Sequence, residues 1–310
     1  MAKSIAFQMD PLGSLNQAID SSLILAKEGM RRGYKCWHFT PQSLAVDHCC
    51  PRAQAAPLVA SDSGWSLLAE SSRIDLNDMS AIFIRQDPPF DMAYITSTFM
   101  LDHVADDVVM VNNPAGIRNG AEKFLPLKVP QFMPPTVITA DRDEITRFWR
   151  EYKDIILKPL YDFGGSNIFR VQEDGDNLSH TIDALHQEYK TPIIAQRFIP
   201  GVSEGDKRII MVDGEPVGGF LRVPQKGDIR SNMVAGGTPV KSTLTDHERQ
   251  LCEKLSPILK DMGILFAGID VIAGYLTEVN VTSPTGIAAL NALDGIQVEQ
   301  ILWDVIEEKM

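Results

Sequence analysis

The run Gly268-Ile269-Asp270-Val271-Ile272, continuing through Ala273-Gly274-Tyr275-Leu276 into Thr277-Glu278-Val279-Asn280, reads as an antiparallel hairpin carrying oxygen ligands. Strand residues two apart share a face, so Glu278 and Asn280 project together. Carboxylate and amide oxygens are the hard donors that Mg²⁺ prefers, with phosphate oxygens filling the remaining positions. Whether Asp270 joins them depends on the turn. A two-residue turn at Ala273-Gly274 pairs 270 with 277 and sends Glu278 to the opposite face. A three-residue turn at Ala273-Gly274-Tyr275 pairs 270 with 278 and gathers all three groups. The three-residue turn is the expectation. The competing reading is a solvated polar face on an ordinary hairpin.

Upstream lies a second informative unit. Strand Ile155-Ile156-Leu157-Lys158 leads into Asp162-Phe163-Gly164-Gly165-Ser166-Asn167, then strand 168–171, a helix from about Leu178 to Tyr189, and strand Ile193-Ile194-Ala195-Gln196. Adjacent glycines let backbone N–H groups close around phosphate oxygens. The loop lacks the lysine and the following helix of a P-loop, and a tight turn is the plainer reading. Lys158 is either a solvated strand end or a point charge for phosphates. At the junction Gln196-Arg197-Phe198-Ile199, backbone groups could read an adenine edge while apolar side chains sandwich the ring. Between this unit and the hairpin come Lys207, Arg208, Arg222, Lys226 and Arg230, with Asn232 nearby. Arg208 and Arg222 border apolar runs at strand ends, where a guanidinium suits carboxylate or phosphate. The polar, glycine-containing stretch 224–237 has the composition of a lid.

The first 120 residues alternate strands and helices: Ile5 to Met9, a helix capped by Asp20 and stopped by Gly33, Tyr34 to Phe39, Ala81 to Arg85 and Val108 to Val111. This predicts a parallel α/β domain. Residues 49–63, rich in Pro, Ala and Ser, read as a surface excursion. Pro126, Pro130, Pro134 and Pro135 mark a domain boundary. The 310 residues are 44% hydrophobic and 23% charged, enough to bury a core. A net charge of -12 argues against nucleic acid as a partner. Cys36, Cys49, Cys50 and Cys252 form no C-x-x-C, so reduced thiols in a cytoplasmic protein are expected, with His48-Cys49-Cys50 a poor metal candidate. The N-terminus is too short and polar for a signal peptide, and no stretch approaches the roughly 20 apolar residues of a membrane span.

Taken together the chain resembles the bacterial glutathione synthetases of the ATP-grasp superfamily, nearly end to end. The resemblance rests on Met9-Asp10-Pro11, Asp20-Ser21-Ser22, Arg85-Gln86-Asp87-Pro88-Pro89-Phe90-Asp91, Asn113-Pro114, Glu122-Lys123, Ile156-Leu157-Lys158-Pro159-Leu160, Gly205-Asp206-Lys207-Arg208, Val212-Asp213-Gly214-Glu215-Pro216, Ala235-Gly236-Gly237 and Thr277-Glu278-Val279-Asn280-Val281-Thr282-Ser283-Pro284-Thr285. It implies an ATP-grasp α/β fold with an N-terminal parallel α/β domain (1–122), a small lid domain (123–200) and a C-terminal domain with a mostly antiparallel sheet (201–310). By resemblance, Lys123 and Lys158 bind ATP phosphates, Gly164, Gly165, Ser166 and Asn167 cover them, and Gln196, Phe198 and Ile199 hold adenine. Asp270, Glu278 and Asn280 ligate Mg²⁺, with Mn²⁺ as the alternative. Arg208, Arg222 and Arg230 neutralise the phosphoryl group and the reacting carboxylate, while Arg85, Asn232 and Ser283 place the peptide substrate. Arg197-Phe198 departs from the more usual linker residues, which leaves backbone reading of adenine intact. The region 41–75 matches poorly and carries no assigned role. The implied reaction joins γ-glutamylcysteine to glycine through an acylphosphate, in a homo-oligomer, a tetramer by resemblance, with no nucleic-acid or membrane partner. Two other readings share part of the pattern: an ATP-grasp ligase adding glutamate or D-alanine, and a synapsin-like relative that binds ATP without turnover.

Overall fold

A computed structural model of the chain describes residues 3–61, 64–68, 70–162, 167–225 and 236–310. The N-terminal sheet is built on β1 (Ser4–Gln8), β2 (Lys35–Phe39), β3 (Leu44–Asp47), β4 (Cys50–Ser61), β5 (Gly64–Leu67), β6 (Ser72–Asp75), β7 (Ala81–Ile84) and β8 (Val109–Val111). Its central path β2-β1-β7-β8 is parallel, as the alternation of strands and helices predicts. Helices α1 (Ser21–Arg31) and α2 (Met92–Leu101) connect these strands, and α3 (Pro114–Asn119) follows β8. The Asp20 carboxylate accepts from Leu23 N at 2.9 Å, and Gly33 (φ 90°) takes the left-handed turn after α1.

The excursion predicted over 49–63 is corrected. Most of it is β4, a strand of 12 residues that pairs antiparallel with β2, β3, β5 and β6. Alternating burial along it places Ala53 and Ala55 in the core, so period-two packing outweighs a composition that favours loops. His48 (φ 48°) and Cys49 (φ 66°) form the two-residue turn between β3 and β4. All four cysteines are unpaired.

Next, β9 (Thr136–Thr139), β10 (Ile155–Pro159), β11 (Phe169–Val171) and β12 (Ile193–Arg197) form an antiparallel sheet in the order β11-β10-β12-β9. It is covered by α4 (Arg142–Tyr152) and α5 (Leu178–Tyr189), whose Ile145, Phe148, Ile182 and Leu185 meet Ile155, Leu157 and Ile193 in a separate core. Strand β9 begins directly after Pro135, where the proline-rich passage carries no strand signal in the sequence. The last sheet runs β15-β14-β13-β16-β17, all antiparallel, from β13 (Asp206–Val212), β14 (Glu215–Val223), β15 (Thr238–Ser242), β16 (Phe266–Ile272) and β17 (Tyr275–Asn280). On one face packs α6 (Asp246–Asp261), started by a Thr245–Glu248 capping box. The chain ends in α7 (Ile287–Asp294) and α8 (Val298–Lys309). Trp303 of α8 packs 5.5 Å from Phe83, which stacks on Phe7 at 4.5 Å, so one core joins the first sheet to the C-terminal helices. Among the described residues no helix is long and apolar enough to cross a membrane.

Candidate active site

The expected three-residue turn is corrected: Ile272 pairs with Tyr275, so Ala273-Gly274 alone make the turn. Both have positive φ (48° and 85°), the geometry a two-residue hairpin of this twist requires. That turn should send Glu278 to the wrong face. It does not, because the register shifts between Asp270 and Val271, leaving Thr277 as an extra residue and placing Asp270 opposite Glu278. The Thr277 hydroxyl donates to the Asp270 carbonyl at 3.0 Å and fastens the bulge. The expected juxtaposition thus exists for a different reason.

Asp270 is the hub. The Arg208 Nε and Nη2 atoms donate to its two oxygens at 2.5 and 3.0 Å, and Arg222 Nη2 lies 3.0 Å from Oδ2. Asn280 Nδ2 donates to Asp270 Oδ2 at 3.2 Å and to the Gly268 carbonyl at 3.1 Å, so both bonds use the amide nitrogen and neither uses Oδ1. The register explains the gathering: Arg208 sits opposite Asp270, and Asp206 opposite Arg222. Burial alone would raise the Asp270 pKa, but the two guanidiniums hold it down at about 2. Asp206, ion-paired to Arg222, is pushed up to about 6, first by burial and against the pull of Arg222, with Asp270 adding repulsion. Its Oδ1 has no partner among the described residues. The sequence reading assigned Asp206 no role, although it lies in the quoted Gly205-to-Arg208 string. Its alternation with Arg208 along β13 was the available signal. Lys207, between them, points to the opposite face and pairs with Glu248 at 2.8 Å, so it leaves the basic set.

Beside this hub the ammonium groups of Lys123 and Lys158 converge on Glu278 Oε1, at 3.7 and 3.8 Å. Both lysines are buried, and burial lowers the Lys158 pKa while Glu278 raises it. The two cations share this one carboxylate oxygen at the edge of the cleft, with Asp206 and Asp270 adding negative charge at Lys158. Lys123 also donates to the Asp162 carbonyl. Asn167 (φ 53°) donates to Asp162 Oδ2 and to the Tyr189 hydroxyl, anchoring the end of the glycine loop. Gly164, Gly165 and Ser166 lie outside the described residues, as do Lys226, Arg230 and Asn232.

At the β12 exit, Gln196 donates to Thr136 Oγ1 at 2.8 Å, and the Phe198 N–H is engaged by the Asp154 carbonyl at 2.9 Å. Arg170 lies 3.6 Å over the Phe198 ring, and Ile199 is buried. Arg85 is buried where the first sheet meets the C-terminal region. Its Nε donates to Ser22 Oγ at 3.1 Å and its Nη2 to the Pro284 carbonyl at 2.9 Å, while its own carbonyl accepts from Ser283 Oγ at 3.2 Å. Its Nη1 has no partner among the described residues. Sequence reasoning also missed Asn112, buried at the end of β8. Its amide receives the Leu265 and Phe266 N–H groups and donates to the Phe266 and Val281 carbonyls, all at 2.8–2.9 Å.

Residues 4–118 match the family described as prokaryotic glutathione synthetase, N-terminal domain, and residues 122–295 match its ATP-grasp domain. The glutathione synthetase of Agrobacterium fabrum (strain C58) is 45% identical over 309 residues, covering 99% of this chain and 97% of that protein. That of Brucella melitensis biotype 1 is 42% identical over 311 residues, covering both chains completely. Among solved structures, the D-cycloserine synthetase DcsG superposes with a TM-score of 0.70 at 12% identity over 99% of this chain and 100% of that one. A RimK domain ATP-grasp protein from Sphaerobacter thermophilus does so with 0.64 at 16% identity over 98% and 99%. At such identities these two speak to the fold, which is ATP-grasp. With two family domains spanning nearly the whole chain and full-length relatives above 40% identity, the chain belongs to the prokaryotic glutathione synthetases, ATP-grasp ligases that use ATP and a divalent metal.

Proposed function

We propose that the chain joins γ-glutamylcysteine to glycine, with ATP converted to ADP and phosphate, and that the Lys123–Lys158–Glu278 edge is where the phosphoryl group is transferred. The observation that carries this reading is the convergence of two buried ammonium groups on one carboxylate oxygen beside the Asp270 hub. The C-terminal carboxylate of γ-glutamylcysteine attacks the γ-phosphate to give an acylphosphate, and the glycine amine then displaces phosphate. Such a reaction needs alignment and charge neutralisation more than a strong base.

In this reading Lys123 and Lys158 hold ATP phosphates, and Gly164, Gly165, Ser166 and Asn167 cover them. The junction Gln196, Phe198 and Ile199 holds adenine. Arg208, Arg222 and Arg230 offset the charge of the reacting anions, and Arg85, Asn232 and Ser283 place the peptide. The donor set of Asp270, Glu278 and Asn280, all oxygen, fits Mg²⁺ or Mn²⁺. Bound there, the metal would reduce repulsion between phosphate and carboxylate. Residues 1–122 serve the peptide, 123–200 the nucleotide and 201–310 the metal and catalysis. The partners are small molecules, and a cytoplasmic homotetramer working without nucleic acid or membrane is the proposed setting.

A coupled ADP-release assay with γ-glutamylcysteine, with and without glycine, tests this. Sustained turnover that needs both supports it. Turnover with glutamate or D-alanine as the added group, or ATP binding without turnover, overturns it.

A further inference from the structure

The cleft between Phe90 and Tyr161 contains an acid that the proposed chemistry leaves unused. Glu122 lines this cleft with Pro88, Lys123, Asp162 and Thr282. Its Oε1 accepts from the Thr282 hydroxyl at 2.7 Å, and its backbone carbonyl accepts from Val279 N at 3.0 Å. The charge of the neighbouring Lys123 reaches it, but that ammonium makes no ion pair with Glu122 and lies instead against Glu278 and the Asp162 carbonyl. Among the described residues Glu122 Oε2 has no ion-pair or hydrogen-bonding partner. Behind Phe90, whose ring lies 5.2 Å from that of Tyr94, the buried Tyr94 hydroxyl is likewise unpartnered and feels the Glu122 charge.

We propose that Glu122 is the docking point for the ammonium group of the amino-acid acceptor. The inference rests on the ligase reading above. An acylphosphate formed at the lysine edge must be met by an amine approaching from beside it, and Glu122 flanks that edge through its chain neighbour Lys123. An ammonium group supplies the positive charge that a half-buried carboxylate otherwise lacks. The rings of Phe90 and Tyr161, with centroids 6.3 Å apart, narrow the opening. That suits an acceptor without a side chain.

The test is steady-state kinetics of Glu122→Gln and Glu122→Asp, each checked for folding by thermal melting. Gln keeps an oxygen for the Thr282 hydroxyl but removes the charge. The expected result is a KM for glycine raised at least tenfold, with the KM values for ATP and γ-glutamylcysteine moving less than threefold. Glu122→Asp should recover part of the glycine affinity. A glycine KM within twofold of wild type, an equal rise in the γ-glutamylcysteine KM, or equal losses in the Asp and Gln variants would overturn the proposal. Should the Gln variant fail to fold, the Asp variant decides alone: a selective rise in the glycine KM supports the proposal and an unselective loss sinks it. Failure of the ligase reading would show separately, as absent glycine-dependent turnover in the unsubstituted enzyme.

Discussion

The two carboxylates that face each other across the hairpin, Asp270 and Glu278, live in different surroundings. Asp270 is 5% exposed and engaged by Arg208, Arg222 and Asn280. Glu278 is 25% exposed, and its cationic neighbours stand off at 3.7 and 3.8 Å. One acid holds the architecture of the site together, and the other waits at its open edge. The difference teaches that burial and pairing, rather than residue type, set how firmly each acid is held here. Replacing Asp270 by Asn should break the first kind of site. Two buried guanidiniums would lose their shared counter-charge, at a cost of about 3–5 kcal/mol in urea denaturation. Glu278→Gln should cost less stability, because its two lysine neighbours stand off at 3.7 and 3.8 Å and its side chain is partly open to water, but it should lower kcat by about 10²–10³ in the ADP-release assay. A Glu278→Gln protein destabilised as much as the Asp270→Asn one, or a stable and active Asp270→Asn protein, would dissolve the distinction.

Asn112 tests whether the hub depends on its distant scaffold. Its side chain makes four hydrogen bonds to backbone groups around Phe266 and Val281, at the start of β16 and just past the end of β17. Asn112→Leu leaves two buried N–H groups and two carbonyls without partners, so a loss of about 2–3 kcal/mol is expected from chemical denaturation. Turnover of the fraction that remains folded should persist, because Asn112 touches none of the cleft residues. A fall in kcat without a fall in stability would show that the hub is tuned through this contact.

Much of this was legible in the sequence, and the failures have identifiable physics. Apolar periodicity found α1, α4, α5, α6 and the central parallel strands, because each buries a regular face. Strand β4 escaped because Pro51, Pro57 and its alanines read as loop, and only tertiary pairing with four neighbours makes it extended. The juxtaposition of Asp270 with Glu278 was expected from a three-residue turn and arises from a bulge instead. That bulge leaves no local mark in the sequence, since Thr277 resembles any strand residue. Glu122 and Asn112 gain their meaning only from partners more than 150 residues away. Lys207 looked basic and proximal, yet strand alternation carries it to the other side of the sheet.

The hairpin turn gives the smallest effect and the sharpest use of the comparison. Ala273 adopts φ 48°, a left-handed conformation that costs an L residue about 1 kcal/mol relative to glycine. Ala273→Gly removes that strain but adds freedom to the unfolded chain, which offsets roughly half of it. The net gain should be about 0.5 kcal/mol, read as a rise of about 1–2 °C in Tm for a chain of this size. Because Thr277, and not the turn, sets which face carries Glu278, kcat should be unaffected by this change. A kcat altered more than twofold would mean that the turn and Glu278 move as one unit. The open edge at Glu278 would then share the rigidity of Asp270, against the contrast in their surroundings.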